Sequence, residues 1–125
     1  MVTVAAVVAT ALLVALAALQ VALAAGAPLG RLAWGGHHRV LPTRLRVGSA
    51  VSVLLYALFA WLVWRAAGIA ARPGEEPGGV AIWALTVYFA VGVVANAASR
   101  SRPERAVMTP VAAVLAACCL VVALG

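Results

Sequence analysis

Four apolar blocks of about twenty residues each limit what this chain can fold into. They cover about residues 2–25, 45–67, 80–98 and 102–124. A hydrocarbon layer about 30 Å thick is crossed by roughly 20 helical residues. The chain has only 125 residues, 66% of them hydrophobic and 10% charged. A soluble domain is about half apolar and about a quarter charged. No soluble core of this size buries four such blocks. The expectation is therefore an all-α membrane protein: a four-transmembrane-helix bundle forming a single domain over residues 1–125.

The blocks are separated by turn-forming stretches. Gly26, Pro28 and Gly30 end the first block. Its run is longer than the apolar core of a signal peptide and lacks a basic start, so an uncleaved helix is expected despite the small residues of "ALAAGA". Trp61, Trp64 and Arg65 close the second block, as amphipathic rings prefer the headgroup level. "AARPGEEPGG" then reads as a turn. Ser101-Arg102-Pro103-Glu104 fits a capping box, in which Ser101 and Glu104 would satisfy each other's backbone N–H groups. Pro110 lies inside the fourth block and should kink it. Cys118 and Cys119 are adjacent, too close for ordinary disulfide geometry, and read as small apolar residues.

Orientation follows from arginine, the only strongly basic residue type present. The first loop carries Arg31, Arg39, Arg44 and Arg46, and the third carries Arg100, Arg102 and Arg105, seven of nine in all. Basic loops stay in the cytoplasm. A bacterial inner-membrane, multi-pass protein with both termini extracytoplasmic is predicted. The sequence pI near 11.2 is thereby assigned to membrane topology, and no nucleic-acid partner is expected.

That topology gives depth to the polar side chains. Gln20, Ser49, Ser52, Tyr56 and Asn96 all fall toward the end carrying loops one and three. Two readings stand side by side. The cluster is helix packing through cross-helix hydrogen bonds and close approach of small residues, as in Gly48-x-x-x-Ser52 and Gly92 with Asn96; or it lines a polar vestibule. A second candidate is an anion or lipid-headgroup site. Arg44 and Arg46 open the second helix, and Arg102 and Arg105 the fourth. Cations are disfavoured at helix N-termini, so helix stability does not explain them; topology and attraction to anionic lipid do. Any function of the loop itself is sought where Arg46 and Ser49 would meet Asn96 and Arg102.

His37 and His38 follow Gly35-Gly36, but zinc sites usually draw four ligands, and only Glu104 shares their compartment. No metal, no cofactor and no catalytic constellation is expected. The block middles carry no Asp, Glu, Lys or Arg, which argues against a proton-coupled exporter. Small four-helix drug exporters of the multidrug resistance type share this size but carry a glutamate in their first helix, which this chain lacks.

With "GAPLGRLAWGGHHRVLPTRLRVGSAVS" (26–52), "NAASRSRPER" (96–105) and the following "TP", the chain resembles a family of small four-helix integral membrane proteins of actinobacteria (high-GC Gram-positive bacteria) with no assigned function. The resemblance implies a one-domain membrane protein and transfers no site. The leading functional expectation is a non-enzymatic membrane component or assembly partner, associating with itself or with a larger membrane partner. The alternative is a small-molecule or anionic-lipid binding or transport protein that uses the polar cluster and the arginines.

Overall fold

The structure, a computed structural model, describes residues 1–69 and 79–125. The expected turn at 70–79, with Arg72, Glu75 and Glu76, lies outside the described residues except for Gly79. Four long helices follow one another: α1 (Val2–Ala24), α2 (Thr43–Ala66), α3 (Val80–Ala97) and α4 (Arg102–Leu124). The described residues form helices joined by loops and contain no strand. Each of the four helices is long and apolar enough to cross a membrane. Even the 18-residue α3 measures about 27 Å at 1.5 Å per residue. In hydrocarbon a helix closes its own backbone hydrogen bonds, which is why blocks of this length and composition adopt it.

The helices form two hairpins. α1 packs along α2, α3 packs along α4, and α1 joins α4 to hold the pairs together, while α2 and α3 touch each other little. The half holding the chain termini carries the main apolar core, with a cavity of about 320 Å³ at its outer edge beside Val2, Trp83 and Gly125. Ala5, Ala9 and Leu13 of α1 meet Leu115, Cys119 and Val122 of α4, with Val63, Ile82 and Leu85 beside them. Lipid tails are as apolar as these side chains, so close packing supplies the attraction. Alanines on α1 let α4 approach. The two cysteines are buried free thiols, serving as small apolar residues. The Trp64 indole N–H donates to Thr10 Oγ1, joining α2 to α1.

Outward faces carry apolar side chains throughout, including Val14, Leu54, Val87 and Val94. Buried polar residues, by contrast, gather at the opposite end, where Gln20, Ser49 and Glu104 lie. An aromatic group stands between the two halves. Phe59 of α2 meets Tyr88 at 5.3 Å and Phe89 at 5.9 Å, both edge to face, an arrangement favoured by ring quadrupoles. These rings bridge the gap between α2 and α3.

The first loop (25–42) is a folded cap over the polar end. It holds two single helical turns, Gly30–Leu32 and Trp34–Gly36. The Gly30 N–H donates to Arg39 O at 2.9 Å and closes the loop on itself. Leu23, Ala33 and Leu41 form a small core beneath it, with Leu19 and Leu45 packed alongside. Ser101 Oγ donates to the Arg31 carbonyl and pins the loop to the start of α4. Gly36 makes that contact possible: its φ is +72°, and a Cβ there would collide with Ser101 Cβ and lie 2.6 Å from Ser101 Oγ.

One local expectation is corrected. Ser101 makes no side-chain cap on α4, so the capping box is absent. Its hydroxyl goes to loop one, and Glu104 instead accepts from Ser99 Oγ at 2.7 Å. The tertiary contact displaced the local one. Pro110 lies within α4, which continues as one helix from Arg102 to Leu124.

Gly36 and Gly68 both have positive φ, but a Cβ at Gly68 meets nothing within 4 Å. Gly68→Ala is therefore expected to lower stability by about 1–2 kcal/mol from backbone strain alone. Gly36→Ala is expected to lose a further 1–3 kcal/mol or so by overpacking against α4. Thermal unfolding of the two variants in detergent reads the difference. Equal losses would mean that the loop does not dock as described.

Candidate functional site

Where α2 and α3 part, a cavity of about 550 Å³ opens at the loop-one end of the bundle. All four helices and the loop contribute to it: Gln20 from α1, Ser52 and Tyr56 from α2, Tyr88, Phe89 and Asn96 from α3, Glu104 and Met108 from α4, and Trp34 from the loop. Its α3 wall includes the exposed residues Val91 and Ala95, so the space communicates sideways with the surroundings of the bundle. The volume lies within the range of small-molecule sites, roughly 300–1,000 Å³.

Four of the five polar-cluster residues expected from sequence line this cavity. Gln20 is 7% exposed. Its amide lies against the Tyr56 side chain, and its Oε1 has no hydrogen-bond partner. Ser52 Oγ donates to Gly48 O at 3.0 Å, and Asn96 Nδ2 donates to Gly92 O at 2.8 Å. Both bond back four residues along their own helices, not across to a neighbour as the packing reading required. A helix in an apolar setting offers a carbonyl one turn back, closer than any partner helix. Ser49, the fifth residue, is fully buried and lies outside the lining. It accepts the Trp34 indole N–H at 3.0 Å. Gly48 lies under the same ring, and a Cβ there would stand 2.9 Å from the indole.

The arginines have a role that the sequence concealed. Arg46 Nε donates to Ala24 O at 2.8 Å, at the C-terminus of α1. The Arg105 guanidinium donates to Ser99 O at 3.0 Å, just past the end of α3. The last carbonyls of a helix lack partners and carry partial negative charge, so a cation there is favourable by about 0.3–1 kcal/mol. From the start of its own helix, Arg46 serves the last residue of α1 and Arg105 the turn after α3. The expectation that helix stability does not explain them is thus corrected for Arg46, while Arg105 braces the turn that follows α3. Arg44 and Arg102 are exposed on the same end of the molecule. The expected junction of Arg46 and Ser49 with Asn96 and Arg102 does not form, because Arg46 turns to α1 and Ser49 to Trp34.

His37 is exposed and His38 half-buried, with His38 Nδ1 unpartnered. Among the described residues no group of three or more His, Cys, Asp or Glu is placed to hold a metal.

Glu104 is the residue that sequence reasoning misjudged most. Taken as a cap, it is 8% exposed and lines the cavity. Ser99 Oγ is its hydrogen-bond donor, and it forms no ion pair among the described residues. Burying a carboxylate costs several kcal/mol. The helix N-terminus offsets about 0.3–1 of these, and one hydroxyl bond about 1.5–3. The signal available beforehand was that Glu104 is the sole acid at an end carrying seven arginines. Trp34, Tyr88 and Phe89 were also missed as lining residues, since aromatic residues in a span carry no mark of which face they occupy.

The chain matches no known family model, no curated protein and no solved structure.

The contrast between neighbouring arginines is testable. Arg46→Gln should lower the unfolding free energy by about 1 kcal/mol, by loss of the α1 cap. Arg44→Gln, two residues away and exposed, should change it by less than about 0.5 kcal/mol. Detergent unfolding curves check both, and equal effects would remove the capping role from Arg46.

Proposed function

We propose that this chain is a multi-pass inner-membrane protein that binds small amphiphilic molecules in the cavity between its two hairpins. The observation that supports this reading is the asymmetry of the bundle. At the termini end a smaller cavity of about 320 Å³ is walled by apolar side chains such as Val2, Ile82, Trp83 and Val122, while at the other end about 550 Å³ opens onto Gln20, Ser52, Tyr56, Asn96 and Glu104. Helices that only pack have no use for such a space. A void lined by polar groups is expensive to maintain in a bundle, and groups of this kind inside a membrane mark ligand paths. The parting of α2 and α3 gives a lateral entrance from the bilayer, suited to a molecule with an apolar body. Of the two functional expectations, binding is favoured over a purely structural component by this cavity.

In this reading loop one and the α3–α4 turn face the cytoplasm, and the termini face outward. Arg44 and Arg102 then meet anionic headgroups, each contributing about 1 kcal/mol of surface attraction. Loop one, anchored through Trp34, Arg46 and Ser101, forms the cavity's cytoplasmic rim.

Binding is tested by native mass spectrometry of detergent-purified protein incubated with 2-naphthylmethanol, a neutral aromatic probe. A one-to-one adduct is expected with the wild type and with Leu54→Phe, whose side chain faces outward, and is lost in Ser52→Phe, whose ring fills the cavity. No adduct, or equal adducts in both variants, would refute the cavity as the binding place. Topology is tested with an impermeant maleimide. Cys118 and Cys119 are buried and give little background. In intact cells a cysteine at Gly125→Cys should label, whereas one at His37→Cys should label only after the membrane is opened. The reverse pattern overturns the orientation.

A further inference from the structure

We propose that the cavity's ligand is an amphiphilic primary amine in its ammonium form, with Glu104 as its counter-ion and Gln20 Oε1 as a second hydrogen-bond acceptor. The inference rests on the binding reading above and adds the charge and donor pattern of the ligand.

What the lining lacks defines the ligand. Glu104 is nine-tenths buried, yet among the described residues it has only Ser99 Oγ as a donor, at 2.7 Å. A carboxylate offers about four acceptor sites, and a buried one calls for a countercharge. Gln20 is equally buried and lines the same cavity, with its Oε1 unpartnered. Both open positions are acceptors. Ser52 donates its one hydroxyl proton to its own helix, which leaves its oxygen to accept, and Asn96 spends one amide N–H on its own helix, keeping its oxygen and a second, neutral N–H. The complement is a group rich in N–H donors and positively charged.

The remaining walls agree. Tyr88 and Phe89 line the cavity, and aromatic faces attract a cation within about 6 Å of their centroids. Among the described residues no arginine lines it. Arg46 and Arg105, the half-buried guanidinium and its counterpart on α4, are turned to backbone carbonyls of α1 and the α3–α4 turn. An anion entering the cavity would meet a carboxylate and the unpaired Gln20 oxygen, with neutral donors such as the Asn96 amide but no cationic one. Entry past Val91 and Ala95 from the bilayer suits a ligand whose amine is carried on an apolar body. Such an amine comes either from a lipid headgroup or from a separate amphiphile, and the chemistry recognised is the same.

The test uses the full chain in nanodiscs of phosphatidylcholine, titrated calorimetrically with four compounds of one shape: 2-naphthylmethylamine, its trimethylammonium analogue, 2-naphthylmethanol and 2-naphthylacetate. The primary amine is expected to bind about tenfold or more tightly than the alcohol, as a hydrogen bond to a charged group requires, with the carboxylate weakest. Glu104→Gln should abolish that preference. If this variant fails to fold, the wild-type series still decides. Equal binding of amine and alcohol, or a preference for the carboxylate, overturns the ligand class and leaves the cavity as a binding site. A trimethylammonium compound binding as tightly as the primary amine overturns the hydrogen-bonding role given to Gln20. Failure of all four to bind overturns both this proposal and the binding reading. Repeating the titration with phosphatidylethanolamine in the discs separates the sources: weakened amine binding identifies a lipid headgroup as occupant, and unchanged affinity a separate amphiphile.

Discussion

Hydrocarbon offers a polar group no water to turn to, and most of this structure follows from that constraint. The backbone meets it by forming four uninterrupted helices. Side chains meet it locally: Thr10, Ser52, Thr86 and Asn96 each donate to the carbonyl four residues back. Such bonds are available wherever a short polar side chain sits on a helix, and they need no partner helix. The groups left out are therefore conspicuous. Gln20 Oε1, His38 Nδ1 and Thr109 Oγ1 are buried without partners, and Glu104 is buried with one hydroxyl donor. Gln20 and Glu104 share a cavity, which brings two separate local deficits to one place.

The helix ends pose the same problem, and loop one supplies much of the answer. In a chain whose helices alternate direction, the start of each helix lies beside the end of the one before. Arg46 and Arg105 use this adjacency. They stand where their own helix disfavours a cation, but they reach the carbonyls of α1 and of the turn after α3. Positive charge gathered at this end thereby also completes hydrogen bonding. The loop is held by matching contacts on three sides: Trp34 on Ser49, Gly36 against Ser101, and Leu41 in a core with Leu23. It shapes the rim of the cavity in a way that a flexible connection would not.

Some of the candidate site was legible from residue type and depth. Gln20, Ser52 and Asn96 lie in the part of their helices nearer loops one and three, with Tyr56 one turn deeper than Ser52, and counting residues finds that region. Counting does not find direction. Ser49 is one helical turn from Ser52, yet it points to the loop while Ser52 borders the cavity. Glu104 matched a local motif that a distant contact displaced: Ser101 was drawn to Arg31, seventy residues earlier in the chain. A local pattern such as a capping box competes with every tertiary partner in reach, and the sequence does not reveal those partners.

By itself, then, the sequence determined the four helices, their lengths and the end at which charge and polarity collect. Each of these depends on a run of composition measured against the dimensions of a helix. The tertiary structure decided which helices touch and which part, and hence that α2 and α3 leave a cavity beside a buried carboxylate. The outward and inward faces of these helices are nearly equally apolar, since lipid and protein interior reward the same side chains. The pattern that tells inside from outside in a soluble protein is therefore absent here. Packing among small residues, the aromatic bridge and the docked loop make the choice that hydrophobicity leaves open.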